Sequence, residues 1–142
     1  MNRFLVHHPI RSVIAGSTVT LLVACTAAPA PLLPGPRDLV ADGITVHLQV
    51  QPDPMLSTAN TAVEITVKDA SGEMVSDGVI SFSLTADAMA MGAIRAIGQA
   101  QGAGRYTATL GPTGHAGSHT LTVNVQRQQK STKFSFERLP VR

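Results

Sequence analysis

Met89 and Met91 stand two residues apart in the stretch ADAMAMG, in a chain of 142 residues that has only five methionines. Thioether sulfur is a soft ligand that suits Cu(I) far better than hard cations, and imidazole suits copper in both oxidation states. Side chains alternate along extended backbone, so two sulfurs at this spacing project from one side. His119 and His115 are the imidazoles that can complete such a set. His119 shares the parity of Leu121, Val123 and Val125, which places it where that apolar run meets the core, and His115 lies in the glycine-flanked PTGHAG. Met89, Met91, His115 and His119 are therefore the metal candidates, and copper is the metal their chemistry favours. Packing offers a different account of the same residues. Methionine fills irregular gaps in cores, and a domain with no Trp needs bulk from somewhere. A histidine on an apolar face also pairs readily with a backbone carbonyl.

Other chemistry has less to stand on. The chain has no Gly-x-Ser-x-Gly elbow, no His-Glu-x-x-His and no phosphate-cradling loop, so no catalytic residue is expected and the protein reads as non-enzymatic. Asp42, Asp53, Asp69, Asp77 and Asp87 fall singly beside predicted strand ends, where aspartate forms turns. A calcium site assembled from such loops stays open beside that reading. His47 alternates outward from Val46 and Leu48 and is expected in solvent. Met55 and Met74 sit in predicted loops beside Pro54 and Gly72, with no ligand-type neighbour.

The N-terminus speaks to location. Arg3 and Arg11 precede SVIAGSTVTLLVA, an uncharged run of about 13 residues, which suits a secretory signal and falls short of the roughly 20 that span a bilayer. The residues that follow complete LVAC, Leu22 to Cys25, which resembles the lipobox of bacterial lipoproteins. That resemblance implies cleavage after Ala24 and lipidation of Cys25, the single cysteine. A lone cysteine has no disulfide partner within the chain. Buried acyl methylenes contribute about 0.8 kcal/mol each, so several chains on Cys25 would hold the protein to a membrane durably. Thr26 in place of Asp after the cysteine implies, by resemblance to Gram-negative lipoproteins, the outer membrane, facing the periplasm. Without Arg3 and Arg11 the chain keeps nine Lys or Arg against nine Asp or Glu. A balanced, scattered charge lacks the basic face that nucleic acid requires, and no nucleic-acid partner is expected.

The candidate residues need a frame to hold them. Residues 1–24 read as the lipoprotein signal peptide, and residues 25–37 as the lipidated cysteine with a proline-rich tether, extended in the manner of polyproline II. Residues 38–142 read as one domain. Its dominant signal is period-two alternation, in ITVHLQV, VEITV, VISFSL, RYTATL, HTLTVNV and KFSFER. The less regular segment 93–100 adds one more strand, and the glycines of GQAQGAG, residues 98–104, read as a hairpin loop. About seven short strands separated by Gly, Pro, Asn and Asp turns predict an all-β fold, an immunoglobulin-like antiparallel β-sandwich.

The order VKDASGEMVSDGVISFSL, MAMG, GRYTATL and GHAGSHTLTVNV resembles the YtkA-like and FixH-like group of bacterial envelope domains, across roughly residues 44–125. The resemblance implies a small immunoglobulin-like sandwich anchored at a membrane, with a methionine segment at the position of MAMG. Where the group carries an aromatic residue after the glycine that opens the sixth strand, this chain has His119. Two functions follow as expectations. One is a lipid-anchored envelope protein that binds or passes copper through a Met/His edge. The other is an interaction or scaffolding module for another envelope protein, with its methionines in the core and no metal.

Overall fold

The computed structural model describes residues 37–88 and 92–142. The signal segment, Cys25, the tether up to residue 36, Met89 and Met91 lie outside the described residues. The strands are β1 (Asp38–Ala41), β2 (Ile44–Gln51), β3 (Thr61–Lys68), β4 (Val79–Ala86), β5 (Ile94–Ile97), β6 (Gln99–Gly102), β7 (Arg105–Leu110), β8 (Gly117–Arg127) and β9 (Lys130–Val141). They form two antiparallel sheets, ordered β1-β2-β3-β7-β6 and β5-β4-β8-β9. With β1 set aside, these are the A-B-E-D and C′-C-F-G orders of the immunoglobulin sandwich, the fold class expected from the alternation.

Alternation builds the core directly. Val46 and Leu48 of β2, Ile65 and Val67 of β3, Phe82 and Leu84 of β4, and Val123 and Val125 of β8 are all at most 2% exposed. Phe134 and Phe136 of β9 fill the space opposite, while Lys133, Ser135 and Glu137 face out. Fully burying side chains of this size contributes roughly 1.5–3 kcal/mol each.

The described strands number nine, two more than the alternation predicts, and both additions have local causes. β1 is joined to β2 by Asp42 and Gly43, whose φ values of 51° and 75° make the two-residue turn that matches strand twist. The segment 93–100 divides at Gly98 into β5 in one sheet and β6 in the other. A Cβ at Gly98 would stand 2.9 Å from Ile80 Cβ and 3.2 Å from Phe82 Cε2, so only glycine lets the chain cross between sheets against that core. GQAQGAG is accordingly a strand for most of its length, with its turn confined to Ala103 and Gly104.

Two residues have neighbours that the sequence does not show. Met55 lies in the connection between β2 and β3, outside the named strands, yet it belongs to the core. It is 1% exposed and bridges Val141, with its N–H donating to Pro140 O at 3.2 Å and its carbonyl accepting from Arg142 N–H at 2.9 Å. This core does use methionine as filler. His47 is half-buried, and its Nδ1 lies 2.7 Å from Asp38 Oδ1, the residue directly across from it on β1.

Candidate metal site at one end of the sandwich

β4 and β8 pair without interruption from Val79↔Gln126 to Ala86↔His119, so His119 is the last residue of β8 that β4 covers. On its other side β8 pairs with β9, and there the register shifts between His119 and Leu121. The parity argument holds: His119 points inward and is 2% exposed. Its Nδ1 lies 3.4 Å from Gly117 O. A carbonyl can only accept, so the Nδ1–H tautomer is the one that keeps this contact, and in that tautomer the Nε2 lone pair is available to a metal.

His119 lines a cavity of about 150 Å³ together with Leu84, Ala86, Gly92, Ile94 and Thr113. Ala86 ends β4 and Ile94 begins β5, so the connection that carries Met89 and Met91 starts and finishes on the walls of the cavity that holds His119. The two methionines themselves lie outside the described residues. His115 is exposed and does not line this cavity. Its loop is fixed by Thr113 Oγ1, which donates to His115 O at 2.9 Å, and by Gly114 N–H, which donates to Ser57 O at 2.9 Å.

Asp87, read from sequence as a turn former, does more at this end. Its N–H donates to Ser118 O at 3.0 Å, and its carboxylate accepts from Ser118 Oγ at 2.5 Å and from Thr120 Oγ1 at 2.7 Å. The sequence shows only half of this: Ser118 and Thr120 place hydroxyls on the outward parity on both sides of His119, but nothing in it pairs them with Asp87.

The remaining aspartates are engaged in turns and surface pairs. Asp69 accepts from Ser71 Oγ at 2.6 Å and from the N–H groups of Ser71 and Glu73 at 2.9 and 3.0 Å. The Ser71 hydroxyl first, and then these backbone donors, hold its carboxyl below the ordinary carboxylate range. Asp77 pairs with Arg127 at 2.8 Å, and Asp53 with Arg37 at 2.8 Å. Among the described residues no three His, Cys, Asp or Glu side chains converge on a point where a metal could sit.

No family model matches the chain, and no curated protein matches it. Solved structures do. The chain is similar to FetP of uropathogenic Escherichia coli, recombinantly expressed in the periplasm, at 14% identity and a TM-score of 0.58, covering 77% of this chain and 95% of FetP. A copper-bound variant of FetP matches with a TM-score of 0.56 at 13% identity, over 73% of this chain and 93% of that one. A DUF4426 family protein of Pseudomonas aeruginosa matches with a TM-score of 0.55 at 15% identity, over 72% and 94%. At these identities the likeness establishes a shared sandwich fold.

Proposed function

We propose that this protein is a lipid-anchored, non-enzymatic component of the bacterial cell envelope that binds or passes Cu(I) at the His119 end of its sandwich. Lipidated Cys25 anchors it to the outer membrane, and residues 26–37 hold the domain away from the surface. Met89 and Met91 supply soft sulfur, His119 supplies Nε2, and His115 is the further imidazole within the same group of loops. The observation that carries this reading is the placement of both ends of the methionine connection, Ala86 and Gly92, on the cavity that His119 lines. The copper held by a FetP variant of similar fold supports the choice of metal. Two thioethers and one neutral imidazole bind Cu(I) without adding charge, and the low exposure of His119 suits a site that keeps Cu(I) from water and oxidant.

A second reading draws on a different observation. Val79 and Ile97 are 59% and 67% exposed, and the register Ser81↔Ile97 sets them close together on the outer face of their sheet. That apolar pair suits a docking face for another envelope protein. The test is an anaerobic Cu(I) titration of the full-length protein against a chromophoric competitor, with the Met89→Leu, Met91→Leu double variant alongside. This swap keeps side-chain volume nearly constant, so the fold should survive it. Stoichiometric binding that the variant loses supports the copper site. Equal, weak binding by both proteins overturns it and leaves the docking face.

A further inference from the structure

The three hydrogen bonds of Asp87 are arranged around one residue that none of them touches. Ser118 and Thr120 flank His119, and both give their hydroxyls to the same carboxylate, while the Asp87 N–H takes the Ser118 carbonyl. Their side chains point outward and that of His119 points inward, so a carboxylate on the outer face holds the hydroxyls of the residues on both sides of the buried imidazole. The grip falls where the pairing of β8 with both its neighbours changes. Pairing with β4 stops at Ala86↔His119, and pairing with β9 slips between His119 and Leu121. The imidazole's own contact, 3.4 Å to Gly117 O, is too long to fix the ring.

We propose that Asp87 is the positioning residue of this end of the sandwich: by clamping Ser118 and Thr120 it sets where His119 Nε2 stands in the cavity. Asp87 also follows Ala86 directly, so the same carboxylate fixes the point at which the chain leaves β4 for the connection to β5. As a statement about metal affinity, this rests on the copper reading above. As a statement about His119, it does not. Groups that orient metal ligands from the second layer typically change affinity 10- to 100-fold when removed. Asp87 is exposed, so the lower end of that range applies.

The experiment compares full-length wild type, Asp87→Asn and Asp87→Ala by two readouts at one pH: ring ¹H and ¹⁵N resonances of the histidines, and anaerobic Cu(I) competition titration. Asparagine keeps a carbonyl to accept from one hydroxyl and an amide to donate to the other, so it should retain most of the clamp. Alanine should move the His119 ring signals, leave those of His47 and His115 in place, and weaken Cu(I) roughly tenfold. His119 signals unmoved in Asp87→Ala would overturn the proposal; moved signals with unchanged Cu(I) affinity in a wild type that binds the metal would overturn its statement about metal affinity. No Cu(I) binding by wild type, together with moved His119 signals, would remove the copper reading and leave the positioning role standing. If Asp87→Ala fails to fold, the Ser118→Ala, Thr120→Ala double variant removes the same two hydrogen bonds from the other side and is read in the same way.

Discussion

His119→Leu separates a metal ligand from a structural histidine more cleanly than any other single change. The residue is 2% exposed, so its replacement must fill a buried space of similar size, and leucine does so without a polar group. What is lost structurally is one contact at 3.4 Å, well beyond the usual 2.9–3.0 Å for N–H···O, so it is worth less than the ordinary 0.5–1.5 kcal/mol. What is gained is relief from burying an imidazole with little hydrogen bonding, a cost of about 1–3 kcal/mol in proteins. The gain is the larger of the two, so the variant should be at least as stable as wild type. Leu121→Ala, one inward position further along β8 at 0% exposure, provides the scale, since such truncations cost about 2–5 kcal/mol. Urea unfolding checks both, read as the shift in midpoint at unchanged slope. On the copper reading, His119→Leu should also lose Cu(I) affinity by more than the roughly tenfold that removing an outer-shell partner costs. A loss of more than about 2 kcal/mol in His119→Leu would refute the reasoning, because it would mean that the imidazole holds the fold through interactions stronger than the one seen.

Gly98→Ala should destabilise by about 1–3 kcal/mol through contact with Ile80 and Phe82, whereas Gly111→Ala, with nothing within 4 Å of its added carbon, should be neutral or better; equal midpoints in urea would contradict this account of the sheet crossing. Asp69 has a lowered carboxyl pKa, so the stability it contributes is present above the unfolded value of about 3.9 and is lost as pH falls through the folded one. Asp69→Asn should therefore have a flatter stability profile than wild type in that acid window, and parallel unfolding curves across it would rule out the Ser71 and Glu73 contacts as the cause. Cys25→Ala should shift the protein from the membrane fraction to the soluble fraction of a bacterial host; retention in the membrane would place the anchor elsewhere.

Most of the sandwich was legible because its strands are half-buried, and half-burial writes itself as alternation. RYTATL is β7 residue for residue, and the inward sets of β2, β3, β4, β8 and β9 are those the pattern marks. What the pattern missed is governed by contacts that do not repeat. β1 spans four residues and presents only Leu39 and Ala41 inward, too few for a period to declare itself. The turn between β8 and β9 is made by Gln128 and Gln129 at φ 46° and 67°, residues that carry none of the Asn-Gly signal usual for such turns. Gly98 looks like a loop glycine until Ile80 and Phe82 are placed beside it, and Met55 looks like a loop methionine until Val141 is.

The His119 end illustrates the same boundary at the level of function. Its parity was readable from Leu121, Val123 and Val125, because parity is a property of one strand. Its partnership with Asp87 was not, because the hydrogen bonds join residues 31 and 33 positions apart and depend on how two strands align. That alignment is nevertheless simple. β4 and β8 run from Val79↔Gln126 to Ala86↔His119 without a bulge, and one step further sets Asp87 against Ser118. Fixing a single pair between these strands therefore fixes the clamp, the position of His119 and the start of the methionine connection together. A change that shifts this register by one residue would turn His119 to the outer face and break all three at once.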